Sequence, residues 1–305
     1  MVSVVFLVGF SACFTGIEST KKISLSRDDK KKAAITPEQK FFSGITPPIL
    51  KDWEPGKKFV VHDNKALLVF ESIIPFIFND SISFEGKIIE FVGVNSKMGP
   101  DGNLNLALSF TDGIHEFIYN TSKSFDEAME KFTSADLPML IDLSMVEQAD
   151  EILKGKVVWT RSNLWYDSKD NRIDGKKFIP VTISEVFPGN AIFPLKLQLT
   201  EENSSPFYMF MNFGIADNES RAFHNLFSLS DIRKSYPSIL PETWDLISAG
   251  KITEGMTKQE CRLALGNPID IKSGHDYSQT LDIWAYDNGF ILWFEDGKLV
   301  RHKGY

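Results

Sequence analysis

Cysteine is scarce here, and its scarcity excludes a good deal. Two cysteines in 305 residues, Cys13 and Cys261, cannot build a disulfide framework. The five histidines, His62, His115, His224, His275 and His302, show no i, i+2 or i, i+4 pairing, so no zinc framework arises. Basic residues are outnumbered, 33 against 41 acidic, giving a formal net charge of -8. A protein that grips a nucleic-acid backbone needs the opposite balance, so nucleic acid is not an expected partner. No apolar run reaches the roughly 18–20 residues of a membrane-spanning helix. Catalytic signatures are missing too: the chain has no Gly-x-Ser-x-Gly elbow, Walker loop or dinucleotide fingerprint. "DSKDNRIDG" invites a calcium-loop reading, but from Asp170 the third position is Arg172 and the twelfth Val181, which excludes an EF-hand. That stretch reads as a hairpin turn. No catalytic, metal-binding or cofactor-binding residue is assigned, and no cofactor is expected.

Phenylalanine, by contrast, is abundant. Its 25 copies, with 6 Trp and 7 Tyr, supply aromatics for several β-rich cores. The length suits two or three folding units.

The N-terminus begins with "VSVVFLVGF" at 2–10, apolar apart from Ser3, followed at once by Ser11, Ala12 and Cys13. That is the length of a signal-peptide apolar region, with small residues placed as at a cleavage site. The arrangement resembles a bacterial lipoprotein signal. The resemblance implies that residues 1–12 are removed and that Cys13 carries the lipid, anchoring the protein in the cell envelope, in the outer membrane. The alternative is a buried N-terminal strand with Cys13 as a small hydrophobe. Residues 13–48 are polar, with lysines at 21, 22, 30, 31 and 32. They bury too little apolar area to offset their ordering entropy, which predicts a flexible tether.

Two β-rich passes follow, over 49–149 and 150–237. The first holds strand candidates at 56–61, 84–94, 103–110 and 115–120; the second holds them at 155–160, 174–186, 193–199 and 206–212. "PDGN" at 100–103 and "RIDGKK" at 172–177 read as tight turns. Each pass closes with a helical patch, at 125–132 and 228–236, and then Leu137-Pro138 or Leu240-Pro241. The parallel landmarks predict a duplicated β-barrel-like unit. The second pass, "WTRSNLWYDSKDNRIDGKKFIPVTISEV", loosely resembles bacterial Src-homology-3-type barrels over about fifty residues.

From 238 to 305 the pattern changes. "PETWDLISAG" and "TKQECRLALG" read as helices, the second opened by a Thr257–Glu260 capping box and closed by Gly266 and Pro268. Strands at 281–286, 290–294 and 298–302 are joined by Asn288-Gly289 and Asp296-Gly297 turns. Cys261, Ala264 and Leu265 form one apolar helix stripe, so Cys261 reads as packing rather than a nucleophile. Trp284 with Tyr286, and Trp293 on the next strand, are candidate protein-contact residues, one face of such a sheet being uncovered by the helices.

The residues Gly255, Met256, Thr257, Leu265, Gly266, Pro268, Trp284, Tyr286, Phe294, Gly297 and Leu299 resemble the pattern of the BamE/SmpA/OmlA lipoprotein family. The resemblance covers roughly residues 240–305. It implies an ααβββ fold, which β-lactamase-inhibitor proteins share, and a role in outer-membrane assembly or maintenance, with binding of protein partners rather than catalysis. The whole reads as mainly β with α+β: two β-barrel-like units, then a BamE-like module, in a non-catalytic envelope lipoprotein that binds or scaffolds proteins. The alternative is an envelope hydrolase or cell-wall enzyme with its site in the β-rich units. The anchor has a direct test. Labelled fatty acid should enter the protein through Cys13, and Cys13→Ser should release it from membranes; a chain that takes up no lipid would remove the basis for an envelope location.

Overall fold

The computed structural model describes residues 35–304, apart from residues 44, 73–82, 100–101, 203, 214–220 and 277–278. The signal region, Cys13 and the tether through residue 34 lie outside these. The described residues fall into two compact units, one ending at Pro237 and one starting at Ser238. The described residues are mainly β, with three antiparallel sheets and few helices.

The larger unit starts earlier than its composition predicts. Helix α1 (Pro37–Phe41) opens on a capping box between Thr36 and Gln39. Phe42 and Ile45 follow, only 4% and 3% exposed, in a core shared with the second sheet. Glu38 accepts hydrogen bonds from the Ser228 hydroxyl and the Leu229 N–H. The tether therefore does not extend to 48. Phe41, Phe42 and Ile45 supply the apolar area that the lysine-rich stretch before them lacks.

The first sheet is built from β1 (Lys58–Val61), β2 (Phe70–Ser72), β3 (Ile88–Met98), β4 (Leu104–Thr111), β5 (Glu116–Asn120) and, beyond helix α2 (Phe125–Lys131), β6 (Leu140–Asp142). Its order is β2-β5-β4-β3-β1-β6. The phenylalanines fill its interior. Trp53 meets Phe91 at 5.3 Å and 88°, and Phe59 meets Phe110 at 5.7 Å and 85°. Such edge-to-face contacts add to the burial of each ring.

Helix α3 (Leu143–Leu153) leaves β6 directly and buries Met145, Val146, Ala149 and Leu153 in the second core. The division expected between residues 149 and 150 thus falls inside a helix; the second core begins with α3. The second sheet comprises β7 (Val157–Thr160), β8 (Leu164–Tyr166), β9 (Arg172–Asp174), β10 (Pro180–Pro188), β11 (Leu195–Thr200), β12 (Phe207–Met211) and, after the turn of helix α4 (Phe223–Leu226), β13 (Phe227–Ser228). Its order is β13-β7-β10-β11-β12-β8-β9. Taken from β13, that runs last strand, first strand, long strand, then the next two, then an early short strand. The first sheet taken from β6 has the same sequence, and β9 is an addition. A local detail recurs as well. Gly56 and Gly155, at φ 91° and 77°, precede β1 and β7. Their N–H groups donate to Phe91 O and Ile183 O, each at 2.8 Å. The long strand bulges just beyond, between Phe91 and Gly93 or between Ile183 and Glu185.

Two expected local features change. Residues 172–174 are strand, and the turn lies before them, where Asp167 Oδ1 accepts from the N–H groups of Lys169 and Asn171. Gly175 is needed for space: a Cβ there would lie 2.4 Å from the Trp165 ring. The helix expected over 228–236 is β13 plus one 3-10 turn, Ile232–Ser235. Ser228 and Asp231 accept backbone N–H groups two residues on, which competes with helix formation.

The smaller unit holds helices α5 (Pro241–Ser248) and α6 (Lys258–Leu265) and a meander of β14 (Asp270–Asp276), β15 (Gln279–Ala285), β16 (Ile291–Glu295) and β17 (Lys298–Lys303). Four strands form rather than three. "DIKSGHD" has too little apolar alternation to reveal β14, which is an edge strand. The capping box forms, with Thr257 Oγ1 accepting from Glu260 N and Glu260 Oε2 accepting from Thr257 N. Asp296 and Gly297, both at positive φ, make the last turn.

Cys261 is fully buried, and burial, with a smaller contribution from Glu260, pushes its thiol up to about 12. It is a packing residue. Cys261→Ala should cost about 1–2 kcal/mol in a denaturant titration, and native Cys261 should be alkylated slowly until the unit unfolds. Fast alkylation of the folded protein at neutral pH would contradict this.

Candidate functional site

The residues singled out for contact do not form one surface. Trp284 and Tyr286 are 2% and 7% exposed, because they share with Asp282 the face that the helices cover, alternating with Ile283 and Ala285. The Arg262 guanidinium lies 4.7 Å from the Trp284 ring, and the Tyr286 hydroxyl donates to Gly266 O at 3.3 Å. Both residues are core, so they leave the set of contact candidates. Trp293 points to the opposite face, half-buried under Arg301 at 4.5 Å, in a row formed by Lys272, Ile283, Trp293 and Arg301. Cys13 lies outside the described residues.

A cleft of about 440 Å³ opens within the larger unit instead. One wall is the segment leading from α2 into β6. Thr133 caps a 3-10 turn over Ser134–Asp136, and Asp136 Oδ2 accepts from both the N–H and the hydroxyl of Thr133, at 2.7 and 3.0 Å. Leu137 and Pro138 follow, then Met139 at φ 61°. A left-handed methionine costs about 1–2 kcal/mol. It swings the chain into β6, and its carbonyl accepts from His62 N at 2.8 Å.

The other wall is the β10–β11 loop. Asn190 Oδ1 accepts from the N–H groups of Ile192 and Phe193 at 3.0 and 2.8 Å. Gly189 must be glycine, since a Cβ would lie 2.2 Å from Phe193 O. This brace holds Ile192 at the tip, 73% exposed. Pro194, Asn212, Phe213 and Pro47 also line the cleft.

Ile141, Asp142 and Met145 reach the cleft from β6 and α3. Lys57 Nζ lies 2.8 Å from each carboxylate oxygen of Asp142 and donates to Ser144 Oγ at 2.7 Å. Asp142 Oδ1 also caps α3 through Ser144 N at 3.1 Å. Oδ2 faces the ammonium with no aligned hydrogen bond, a pure charge contact. The two side chains are 11% and 3% exposed, so the pair is buried and its charge is satisfied within the protein.

The walls are largely apolar, and most of their polar groups are engaged within the protein. Asp142 is paired, Asn190 braces its own loop, and Ser134 Oγ sits 3.5 Å from Met145 Sδ. General acid–base chemistry needs a titrating pair aimed into the cavity, whereas Asp142 is turned to Lys57 and Ser144, and Asn190 to its own loop. Among the described residues no cluster of three His, Cys, Asp or Glu could hold a metal ion. What the arrangement offers is an apolar groove with a stiff rim, within the usual size range of binding sites.

Sequence reasoning passes over this site because no one segment makes it. "ADLPM" marks the end of one pass and "PGNAIFP" a loop in the next, and neither discloses that they face each other. The dense Pro, Gly and Asn of the second was the available signal. No family model, curated protein or solved structure matches the chain.

Proposed function

We propose that this protein is a non-catalytic lipoprotein of the bacterial cell envelope that binds protein partners in the cleft between two related barrels. The observation that carries the reading is the cleft itself: apolar walls whose polar groups, Asp136 Oδ1 apart, are mostly turned to internal bonds, with Ile192 held out at the rim. Contact with a partner's apolar side chains suits such a surface better than chemistry does.

The rest of the reading is built around that cleft. The matching strand orders, the Gly56 and Gly155 bonds and the paired bulges support descent of the two barrels from one duplicated unit. The succession of first strand, excursion with short strands, three-stranded meander, helical turn and closing strand supports the likeness to Src-homology-3-type barrels. Two helices with a capping box before an antiparallel meander support the likeness of residues 238–305 to the BamE module, although here the meander has a fourth strand. A lipid on Cys13 would hold all three at the outer membrane, where a scaffold in its assembly or maintenance would act.

A benzophenone amino acid in place of Ile192 tests the binding claim in cells. Irradiation should yield one discrete protein adduct, absent when the same group replaces the still more exposed Ile114 on the β4–β5 turn. Equal adducts from both positions, or none from 192, would remove the cleft from the account.

A further inference from the structure

The cleft is not electrically neutral, and its imbalance bears on what it binds. Among the described residues its lining contains two ionisable side chains, Asp136 and Asp142, and no lysine, arginine or histidine. Asp142 is matched by Lys57. Asp136 is matched by nothing of opposite charge: both of its hydrogen bonds enter through Oδ2, from Thr133, and no cation pairs with it among the described residues. Oδ1 is left as a charged acceptor on an exposed residue at the cleft wall. Its field is felt nearby, since burial and then the Asp136 charge push the Tyr119 phenol above its ordinary value.

The wall is also fixed in place. Thr133 clamps Asp136 at two points, and the backbone passes at once into buried Leu137 and left-handed Met139. The carboxylate is thus presented beside the apolar lining with little freedom left to lose on binding. A basic group arriving next to an apolar side chain gains this charge without displacing an existing ion pair. An acidic group meets repulsion instead.

We infer that the cleft takes a protein segment in which apolar side chains stand beside a lysine or arginine, and that Asp136 selects the base. This rests on the cleft being the binding site, so the test separates the two claims. Fluorescein-labelled peptides with a leucine-phenylalanine-leucine run, followed by lysine, glutamine or glutamate between glycines, are titrated against the full chain. Fluorescence anisotropy should rank lysine above glutamine by about 3- to 5-fold, the gain of a partly exposed ion pair, with glutamate weakest. Asp136→Asn keeps an acceptor for Thr133 and should reduce the lysine preference below about 2-fold. Thr133→Ala loosens the same turn while keeping the charge, and should retain the preference. Equal binding of all three peptides, abolished by Ile192→Asp, would overturn the selection by Asp136 and leave the cleft as the site. Absence of binding, or binding indifferent to Ile192→Asp, would overturn both.

Discussion

The larger unit depends on a buried charge pair. Lys57 and Asp142 are brought together from opposite ends of the first sheet's sequence, just before its first strand and at the end of its last. β6 pairs with β1 in the register Phe59↔Asp142, which places that carboxylate beside the lysine preceding β1. The same carboxylate caps α3. One ionic contact therefore joins the two ends of the first sheet's sequence, starts the helix that packs into the second core, and forms part of the cleft. A buried ion pair contributes little net stability against an apolar substitute, but losing one partner is costly. Its value here is in specifying geometry.

Helix α3 carries that geometry onward. Met145, Val146, Ala149 and Leu153 pack into the second core, and Asp150 Oδ1 accepts from Val186 N at 2.9 Å on β10. The cleft is the space left where β6 and α3 meet the β10–β11 loop. Met139, at φ 61°, stands at its wall.

Much of this architecture was legible in the sequence where a local rule decides. Thr257 with Glu260 specifies a helix start, Asp296-Gly297 a tight turn, and the stripe through Cys261 a buried face; each forms as read. Long-range constraints were not legible. Phe42 and Ile45 fold because a second core receives them, and no composition window shows that partner. Gly175 looked like a turn residue, but its role is to admit the Trp165 ring. Trp284 and Tyr286 looked free to make contacts until the side of the sheet covered by the helices was known. The cleft joins segments some fifty residues apart, so it emerges only from tertiary pairing.

A double-mutant cycle in urea tests the central claim most directly. Lys57→Met leaves a buried carboxylate unpaired, and Asp142→Asn leaves a buried ammonium unpaired. Each should cost the larger unit about 3–5 kcal/mol. The double variant removes both charges while asparagine still caps Ser144, so it should return to within about 1–2 kcal/mol of the parent. Single losses of about 1 kcal/mol or less that simply add in the double variant would contradict the account, and the pair would be one more surface contact.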